Sequence, residues 1–175
     1  MSDDNDWLNK ARKVLDIELE AISAVRDDLN ESFCTAMQEM AACSGRIVLT
    51  GVGKSGLIGR KMAATFSSTG SPAFFLHPVE GAHGDMGMLR REDLVVAISN
   101  SGETEEVNSI LQSIRALGIR IVALTADTGS TMARLADVAV RVRVPREACS
   151  LGLAPTSSTT AVLAVGDAMA IALMQ

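Results

Sequence analysis

Residues 51–56 read Gly-Val-Gly-Lys-Ser-Gly and residues 99–106 read Ser-Asn-Ser-Gly-Glu-Thr-Glu-Glu, and both lie between a β-branched apolar run and an amphipathic stretch. A strand that ends in such a turn and leads into a helix presents free backbone N–H groups and the positive end of the helix dipole, and anions bind there. The two turns together predict a phosphate site on a parallel sheet.

Hydroxyl groups in both turns strengthen this interpretation. Ser99, Ser101 and Thr104 supply hydroxyls in the second turn, and Ser55 supplies one in the first. Gly102 lets a ligand approach the backbone closely. Serine and threonine often only cap helices at such positions, so either turn alone would indicate capping. The presence of both favours phosphate binding.

Two nucleotide-binding motifs are similar to the first turn, and neither fits. The glycines of residues 51–56 satisfy G-x-G-x-x-G, but dinucleotide-binding folds place an acidic residue about 20 positions later to bind the ribose. The nearest acid, Glu80, lies beyond the end of the next predicted strand. A Walker A loop needs a glycine where Val48 stands. We therefore expect neither a nicotinamide cofactor nor a nucleoside triphosphate.

Composition limits the class of protein. Hydrophobic residues make up 47% of the chain, which suits a single α/β domain. A net charge of −5 with no basic run argues against nucleic acid as a partner. The three cysteines lack C-x-x-C spacing and indicate reduced thiols. Since neither a signal peptide nor an apolar run of about 18 residues is visible, we expect a cytoplasmic protein with no membrane partner.

Strand and helix patterns alternate along most of the chain. Strands are predicted at residues 46–50, 73–76, 94–98, 119–124 and 138–144, and helices at 57–69, 104–117, 130–135 and 156–175. This alternation predicts a doubly wound, three-layer αβα sandwich with a five-stranded parallel sheet. Ligands of such sheets bind at the carboxyl ends of the strands, where both turns lie.

A helix pair precedes the sheet. The first helix is predicted over residues 6–29, and the second begins at an Asn30 cap. We expect residues 1–45 to pack on a core formed by residues 46–175. The first helix carries more apolar surface than a small sheet needs, and the last helix, which opens with Ser-Ser-Thr-Thr at 157–160, is apolar nearly all round. Both helices predict a homo-oligomer.

Candidate catalytic side chains follow the predicted strands. Lys54 offers positive charge within the first turn. Both histidines, His77 and His83, lie in one polar loop and suit proton transfer near neutral pH, with zinc binding as the alternative use. One of the glutamates at 103, 105 and 106 can serve as a base, although solvated acids are common in a first helical turn. Glu147, after the fifth strand, is another candidate acid or base.

The chain resembles the sugar isomerase (SIS) domain, and within that family the bacterial arabinose-5-phosphate isomerases of Kdo and lipopolysaccharide biosynthesis. The resemblance is carried by the strings Gly-Lys-Ser-Gly, Ala-His-Gly-Asp and Leu-Ala-Pro-Thr-Ser-Ser-Thr-Thr, within residues 51–70, 77–88 and 147–160, and by the turn in residues 98–107. It implies the SIS fold and the interconversion of D-ribulose 5-phosphate and D-arabinose 5-phosphate, without a cofactor.

The resemblance also implies roles for individual residues. It implies substrate binding, chiefly of the phosphate, by Ser55, Ser99, Asn100, Ser101, Thr104, His77 and His83. It implies catalysis by Lys54, His83, Glu106 and Glu147, and a zinc contact by His77. Which carboxylate acts as the base stays open.

Further expectations come from what the family contains beyond these strings. A further catalytic histidine, in a Ser-His-Pro-Gly-Gly string after the last helix, and a pair of CBS domains have no counterpart within residues 1–175. We expect the chain to be part of a longer protein, to bind substrate with reduced turnover on its own, and to assemble as a tetramer.

Two alternative functions stay open. One is another SIS isomerase acting on hexulose or heptose phosphates, against which the Ala-His-Gly-Asp loop argues. The other is a non-catalytic sugar-phosphate sensor. Sensors of that kind carry a basic helix-turn-helix segment, whereas residues 1–45 form an acidic-to-neutral helix pair.

Overall fold

The computed structural model describes residues 2–149 and 151–174, and a parallel sheet forms its centre. The strands are β1 (Ile47–Gly51), β2 (Ala73–Phe75), β3 (Leu94–Ile98), β4 (Arg120–Thr125) and β5 (Val138–Arg141). They lie in the order β2-β1-β3-β4-β5, and every neighbouring pair is parallel. This confirms the predicted five-stranded, doubly wound sheet.

Helices cover both faces of the sheet. They are α1 (Ser2–Asp28), α2 (Glu31–Ala41), α3 (Gly53–Ser68), α4 (Pro78–Ala82), α5 (Glu105–Ala116), α6 (Thr131–Leu135) and α7 (Ser157–Leu173), with a 3₁₀ turn at Asp85–Met88. The Asn30 cap is confirmed, because its side chain accepts a hydrogen bond from the Ser32 N–H at 2.9 Å.

Alternating side chains along the strands build two cores. On one face Leu49 packs in a cluster with Phe66 of α3 and Met169 of α7. On the other face Val48 packs in a cluster with Leu111 of α5. All five side chains are buried, as expected for parallel strands covered on both faces.

The strand order creates a crevice between β1 and β3. From β1 the chain passes through α3 to β2 on one side and returns to β3 on the other side of β1. Because α3 and α5 lie on opposite faces, the carboxyl ends of β1 and β3 are left open between them. Both phosphate-type turns follow these two strands.

Helix α3 begins earlier than its apolar pattern predicts. The periodicity starts at Leu57, yet the helix starts at Gly53, directly after an extended Val52. Lys54 and Ser55 therefore lie in the first helical turn and not in a preceding loop. The pattern misses this turn because its residues face the crevice rather than the apolar core.

The loop at residues 77–88 is also more ordered in secondary structure than its glycine content predicts. Pro78 starts the short helix α4, a position at which its missing N–H costs nothing. His77 caps this helix, since its Nδ1 accepts the Val79 N–H at 3.3 Å. This local bonding fixes where the loop leaves the sheet edge.

Helix α7 is covered by other helices of the same chain. It packs against α1, α2 and α3, and the apolar side chains on its packed side are buried, including Val162, Val165 and Met169. Much of its apolar surface is thus covered within one chain, although Ile171 stays exposed. Large exposed apolar side chains are most numerous on α1. Of the helices in the described ranges, none has the length and apolarity needed to cross a bilayer.

Candidate active site

A pocket of about 240 Å³ lies at the crevice between β1 and β3. The first turns of α3 and α7 and the end of β3 meet around it. Its lining residues are Val52, Lys54, Ser55, Ile58, Ile98, Asn100, Pro155, Ser158, Thr159 and Val162. Three of the residues predicted from sequence, Lys54, Ser55 and Asn100, are therefore brought together in one pocket.

The second turn, residues 99–104, is organised by its own hydroxyl groups. Ser99 Oγ lies 2.8 Å from Thr104 Oγ1 and accepts the Gly102 N–H at 3.1 Å. Ser101 is exposed, and its hydroxyl accepts the Glu103 N–H at 3.2 Å. The Thr104 side chain makes no capping hydrogen bond to α5, so its hydroxyl is not required to start that helix. The turn is thus held in shape at the positive end of a helix dipole.

Neighbouring helices brace this turn from behind. The Gly102 carbonyl accepts hydrogen bonds from Asn108 Nδ2 at 3.2 Å and from the Met132 N–H at 2.9 Å. Glu103 Oε1 accepts the Thr131 N–H at 2.8 Å, and this bond and the Thr131 side chain lower the pKa of Glu103. Glu103 therefore connects the turn to α6, which makes it a poor choice for a base.

Glu147 lies against the N-terminus of α7. Its Oε2 accepts hydrogen bonds from the Thr156 N–H at 2.7 Å and from the Ser158 N–H at 3.4 Å. Burial acts to raise the pKa of Glu147, but the hydrogen bonds from Ser158 and Thr156 outweigh it and lower the pKa. The carboxylate is thus charged at neutral pH and is held directly behind a wall of the pocket.

Lys54 lines two cavities. Besides the first pocket it borders a recess of about 490 Å³, which His77 also lines. Lys54 is exposed, and within the described ranges no carboxylate lies close enough to form an ion pair with it. Its ammonium group is therefore available to a ligand.

A model of the SIS domain family matches residues 40–172 of the chain. The chain belongs to the SIS domain family. Its relatives include the arabinose 5-phosphate isomerase KdsD of Salmonella typhi, 49% identical over 97% of this chain and 52% of the relative. The corresponding KdsD of Pseudomonas aeruginosa is 44% identical over all of this chain and 54% of the relative. This SIS domain thus spans about half the length of these relatives.

A solved structure agrees with the fold described above. The c3406 protein of Escherichia coli CFT073, in complex with arabinose 5-phosphate, superimposes with a TM-score of 0.94 at 43% identity. The match covers 97% of this SIS domain and 90% of the c3406 chain. The predicted SIS fold is thereby confirmed over nearly the whole chain.

Besides Glu147, which lies behind the pocket wall, two more predicted catalytic residues do not line the pocket of this SIS domain. His83 is exposed at the C-terminal end of α4, and Glu106 is exposed in the first turn of α5. Neither side chain lines the pocket or the adjoining recess. Their catalytic roles stay predictions.

The zinc contact predicted for His77 requires further metal ligands near this side chain. The Nδ1 of His77 already accepts a backbone hydrogen bond, which leaves only Nε2 for a metal. No group of three or more His, Cys, Asp or Glu side chains suited to a metal occurs among residues 2–149 and 151–174. The described residues of this SIS domain therefore do not fit a zinc site around His77.

Sequence reasoning missed part of the pocket wall. Ser158 and Thr159 line the pocket, although they lie about 60 residues beyond the phosphate-type turn and their local pattern indicates only the start of a helix. The feature of the sequence that could have indicated this part of the wall is the Ser-Ser-Thr-Thr string at 157–160. Its relevance depends on α7 packing against α3, which brings the two helix N-termini together.

Replacing Gly102 by alanine is expected to destabilise the protein more than the same replacement at another glycine with a left-handed backbone. Its φ is +68°, and an added Cβ would overlap with the Ser130 side chain and lie 3.0 Å from Thr125 Oγ1. We expect a cost of roughly 1–2 kcal/mol for the backbone and about 1–3 kcal/mol for the clash. Urea unfolding measures the sum.

Gly152 provides the matched control for this variant. Its φ is +63°, but nothing lies within 4 Å of an added Cβ. Gly152→Ala therefore isolates the backbone cost. Adding Ser130→Gly to Gly102→Ala should restore part of the lost stability. Equal losses in Gly102→Ala and Gly152→Ala would contradict the tight packing behind the turn.

Proposed function

We propose that this SIS domain is the catalytic domain of an aldose-ketose isomerase that interconverts D-ribulose 5-phosphate and D-arabinose 5-phosphate. The observation that carries this proposal is the pocket that joins Ser55 and Asn100 to the Lys54 ammonium group beside the braced turn of residues 99–104. The KdsD relatives and the arabinose 5-phosphate complex of c3406 support the choice of substrate.

The phosphate of the substrate is assigned to the two helix N-termini at the crevice. The first turns of α3 and α5 supply backbone N–H groups, and Ser55, Ser99, Ser101 and Thr104 supply hydroxyls. Because the protein carries a net charge of −5, an anion cannot be held by a general positive field and needs such local donors. Each hydrogen bond to a charged phosphate contributes roughly 1.5–3 kcal/mol.

The isomerisation itself moves one proton between C1 and C2 of the open-chain sugar. A base removes the proton from one carbon and returns it to the other, and a cis-enediol forms in between. A second proton passes between the oxygens, from the O2 hydroxyl to O1 in the direction of the ketose, so that the carbonyl moves from C1 to C2. Lys54 is assigned to the negative charge that develops on the oxygen of this intermediate. Glu147, Glu106 and His83 are assigned to proton transfer. Of these, Glu147 is hydrogen-bonded to a residue that lines the pocket, since its carboxylate accepts the Ser158 N–H.

Removing the two bonded hydroxyls of the second turn tests the phosphate assignment. The double variant Ser99→Ala with Thr104→Ala is expected to bind arabinose 5-phosphate at least about tenfold more weakly, because two donors to a charged acceptor are lost. Isothermal titration calorimetry measures the affinity, and thermal unfolding verifies the fold. Ser109→Ala, an exposed serine further along α5, is the control. Unchanged affinity in the double variant would refute the phosphate assignment.

A substrate panel separates the proposed reaction from the alternatives. Isomerase activity should be highest with arabinose 5-phosphate and ribulose 5-phosphate, and much lower with hexulose and heptose phosphates. Preferred turnover of a hexulose or heptose phosphate would assign another SIS isomerase. Measured on the natural full-length chain, binding without turnover of any of them would assign a sensor.

We also propose a homotetramer in which α1 forms a subunit contact. Apolar side chains on α1 are largely exposed, with Leu15 at 59% and Leu19 at 65% relative exposure. Their transfer out of water on assembly is favourable. Light scattering at micromolar concentration should give four times the chain mass. Leu15→Glu with Leu19→Glu should lower that mass, whereas the exposed control Lys13→Glu should not. A monomer mass for the unmodified protein would contradict the proposal.

A further inference from the structure

The recess beside the candidate active site has an unusual lining. It measures about 490 Å³ and adjoins the first pocket along Lys54. It is lined by Gly53, Lys54, Gly56, Leu57, Arg60, Phe75 and His77. Its polar side chains are thus all basic, and no carboxylate is among them, although the protein as a whole is acidic.

Arg60 is oriented within this recess by an aromatic ring. Its guanidinium carbon lies 4.4 Å from the centroid of the Phe75 ring, which is a stacking distance for a cation over an aromatic face. In the described parts of the chain Arg60 has no ion-pair partner, whereas Arg120, on β4, is paired with Glu39 and Asp137. The stack fixes the plane of Arg60 and leaves its N–H groups to a ligand.

His77 and Lys54 complete a set of donors. Because His77 Nδ1 accepts the Val79 N–H, the neutral imidazole carries its hydrogen on Nε2, where it can be donated. His77 also lies edge-on to the Phe75 ring, with the centroids 6.4 Å apart. The recess therefore offers an ammonium, a guanidinium and an imidazole N–H, a combination that suits a carboxylate or a phosphate.

We propose that this recess binds a second anionic group, phosphate or carboxylate, on a ligand whose sugar phosphate occupies the first pocket. Arg60 and His77 line the recess and not the first pocket, and of the two only Arg60 has no predicted role in binding the substrate itself. The inference rests on the proposed function, which assigns the first phosphate to the turns at the crevice. A ligand of this class spans Lys54 and therefore competes with the substrate.

Three non-isomerisable ligands test the second site. Arabinitol 5-phosphate carries one anionic group, arabinitol 1,5-bisphosphate adds a phosphate, and arabinonate 5-phosphate adds a carboxylate. By calorimetry we expect at least one of the two doubly anionic ligands to bind about tenfold or more tightly than arabinitol 5-phosphate. The tighter of the two identifies the second group. Equal affinities for all three would overturn the proposal.

Variants of Arg60 assign the effect to the recess. Arg60→Gln should remove most of the preference for the doubly anionic ligand and leave the affinity for arabinitol 5-phosphate within about twofold, whereas Arg60→Lys should keep part of the preference. Arg12→Gln, at an exposed position on α1, controls for the loss of one charge. An unchanged preference in Arg60→Gln would overturn the proposal. By contrast, arabinitol 5-phosphate binding that is insensitive to Ser99→Ala with Thr104→Ala would refute the proposed function instead.

Discussion

Replacing Lys54 by methionine is expected to lower the kcat for ribulose 5-phosphate formation by about 10²–10⁴-fold. Lys54 lies in the first turn of α3 and lines both the pocket and the recess. Its ammonium group is the cation assigned to the enediolate oxygen, on which charge develops only as the proton leaves carbon. The loss should therefore appear in kcat more than in the affinity for substrate.

Two further lysine variants make this result interpretable. Lys61→Met removes a lysine from the same helix that is paired with Asp167 of α7, so it should leave kcat within about twofold. Lys54→Arg keeps the charge and should retain more activity than Lys54→Met. Direct assay of the sugar interconversion at saturating substrate gives kcat for each. Similar rates in Lys54→Met and Lys61→Met would exclude a catalytic role for Lys54.

Glu147 variants should separate a structural role from a catalytic one. Glu147→Ala removes the acceptor for the Thr156 and Ser158 N–H groups and should lower the free energy of unfolding by about 1–2 kcal/mol. Glu147→Gln keeps an amide oxygen for these donors and should lose less stability than Glu147→Ala, since only the contribution of the negative charge is removed. If Glu147 is the base, Glu147→Gln still loses about 10²–10⁴-fold in kcat.

The two readouts decide the role of this carboxylate. Chemical unfolding gives the stability, and the isomerase assay gives kcat. Full activity in Glu147→Gln would show that Glu147 serves only as a cap, and the exposed Glu106 would then be the remaining carboxylate candidate. The pH dependence adds an independent measurement. Since the pKa of Glu147 is lowered in the folded protein, its stabilisation is fully present above the ordinary glutamate pKa of about 4.3 and is lost as the pH falls through the folded value.

Acid unfolding should therefore differ between these proteins. Between neutral pH and pH values below about 4.3, the unmodified protein should lose more stability than Glu147→Gln, which has no carboxyl group to protonate at this position. Melting temperatures measured over this range test the difference. Parallel pH profiles would show that the hydrogen bonds at the α7 N-terminus contribute little to stability.

The parallel sheet and the turns that follow β1 and β3 could be predicted from the sequence alone. Strand and helix periodicities depend on which residues face the core, and the buried β3 segment shows this most directly because its predicted and observed bounds coincide at Leu94–Ile98. The Asn30 cap was also predictable, because the interaction between its side chain and the Ser32 N–H is local. The family followed from short strings of defined residues.

Other features could not be predicted from local patterns. The start of α3 at Gly53 was missed because the residues of its first turn face the crevice and carry no apolar signal. The capping of α7 by Glu147 could not be predicted either. Its partners Thr156 and Ser158 are on another element, and only the folded loop brings the carboxylate to the N–H groups of α7.

What the sequence determined by itself is the doubly wound parallel sheet and the chemistry of the two turns, because apolar periodicity and helix-start residues act over a few neighbouring positions. What only the tertiary structure decided is which side chains meet. Ser158 joins Lys54 in one pocket because α7 packs on α3, and Arg60 enters the recess because Phe75 of β2 holds its guanidinium. Such contacts join residues far apart in the chain, and no local pattern encodes them.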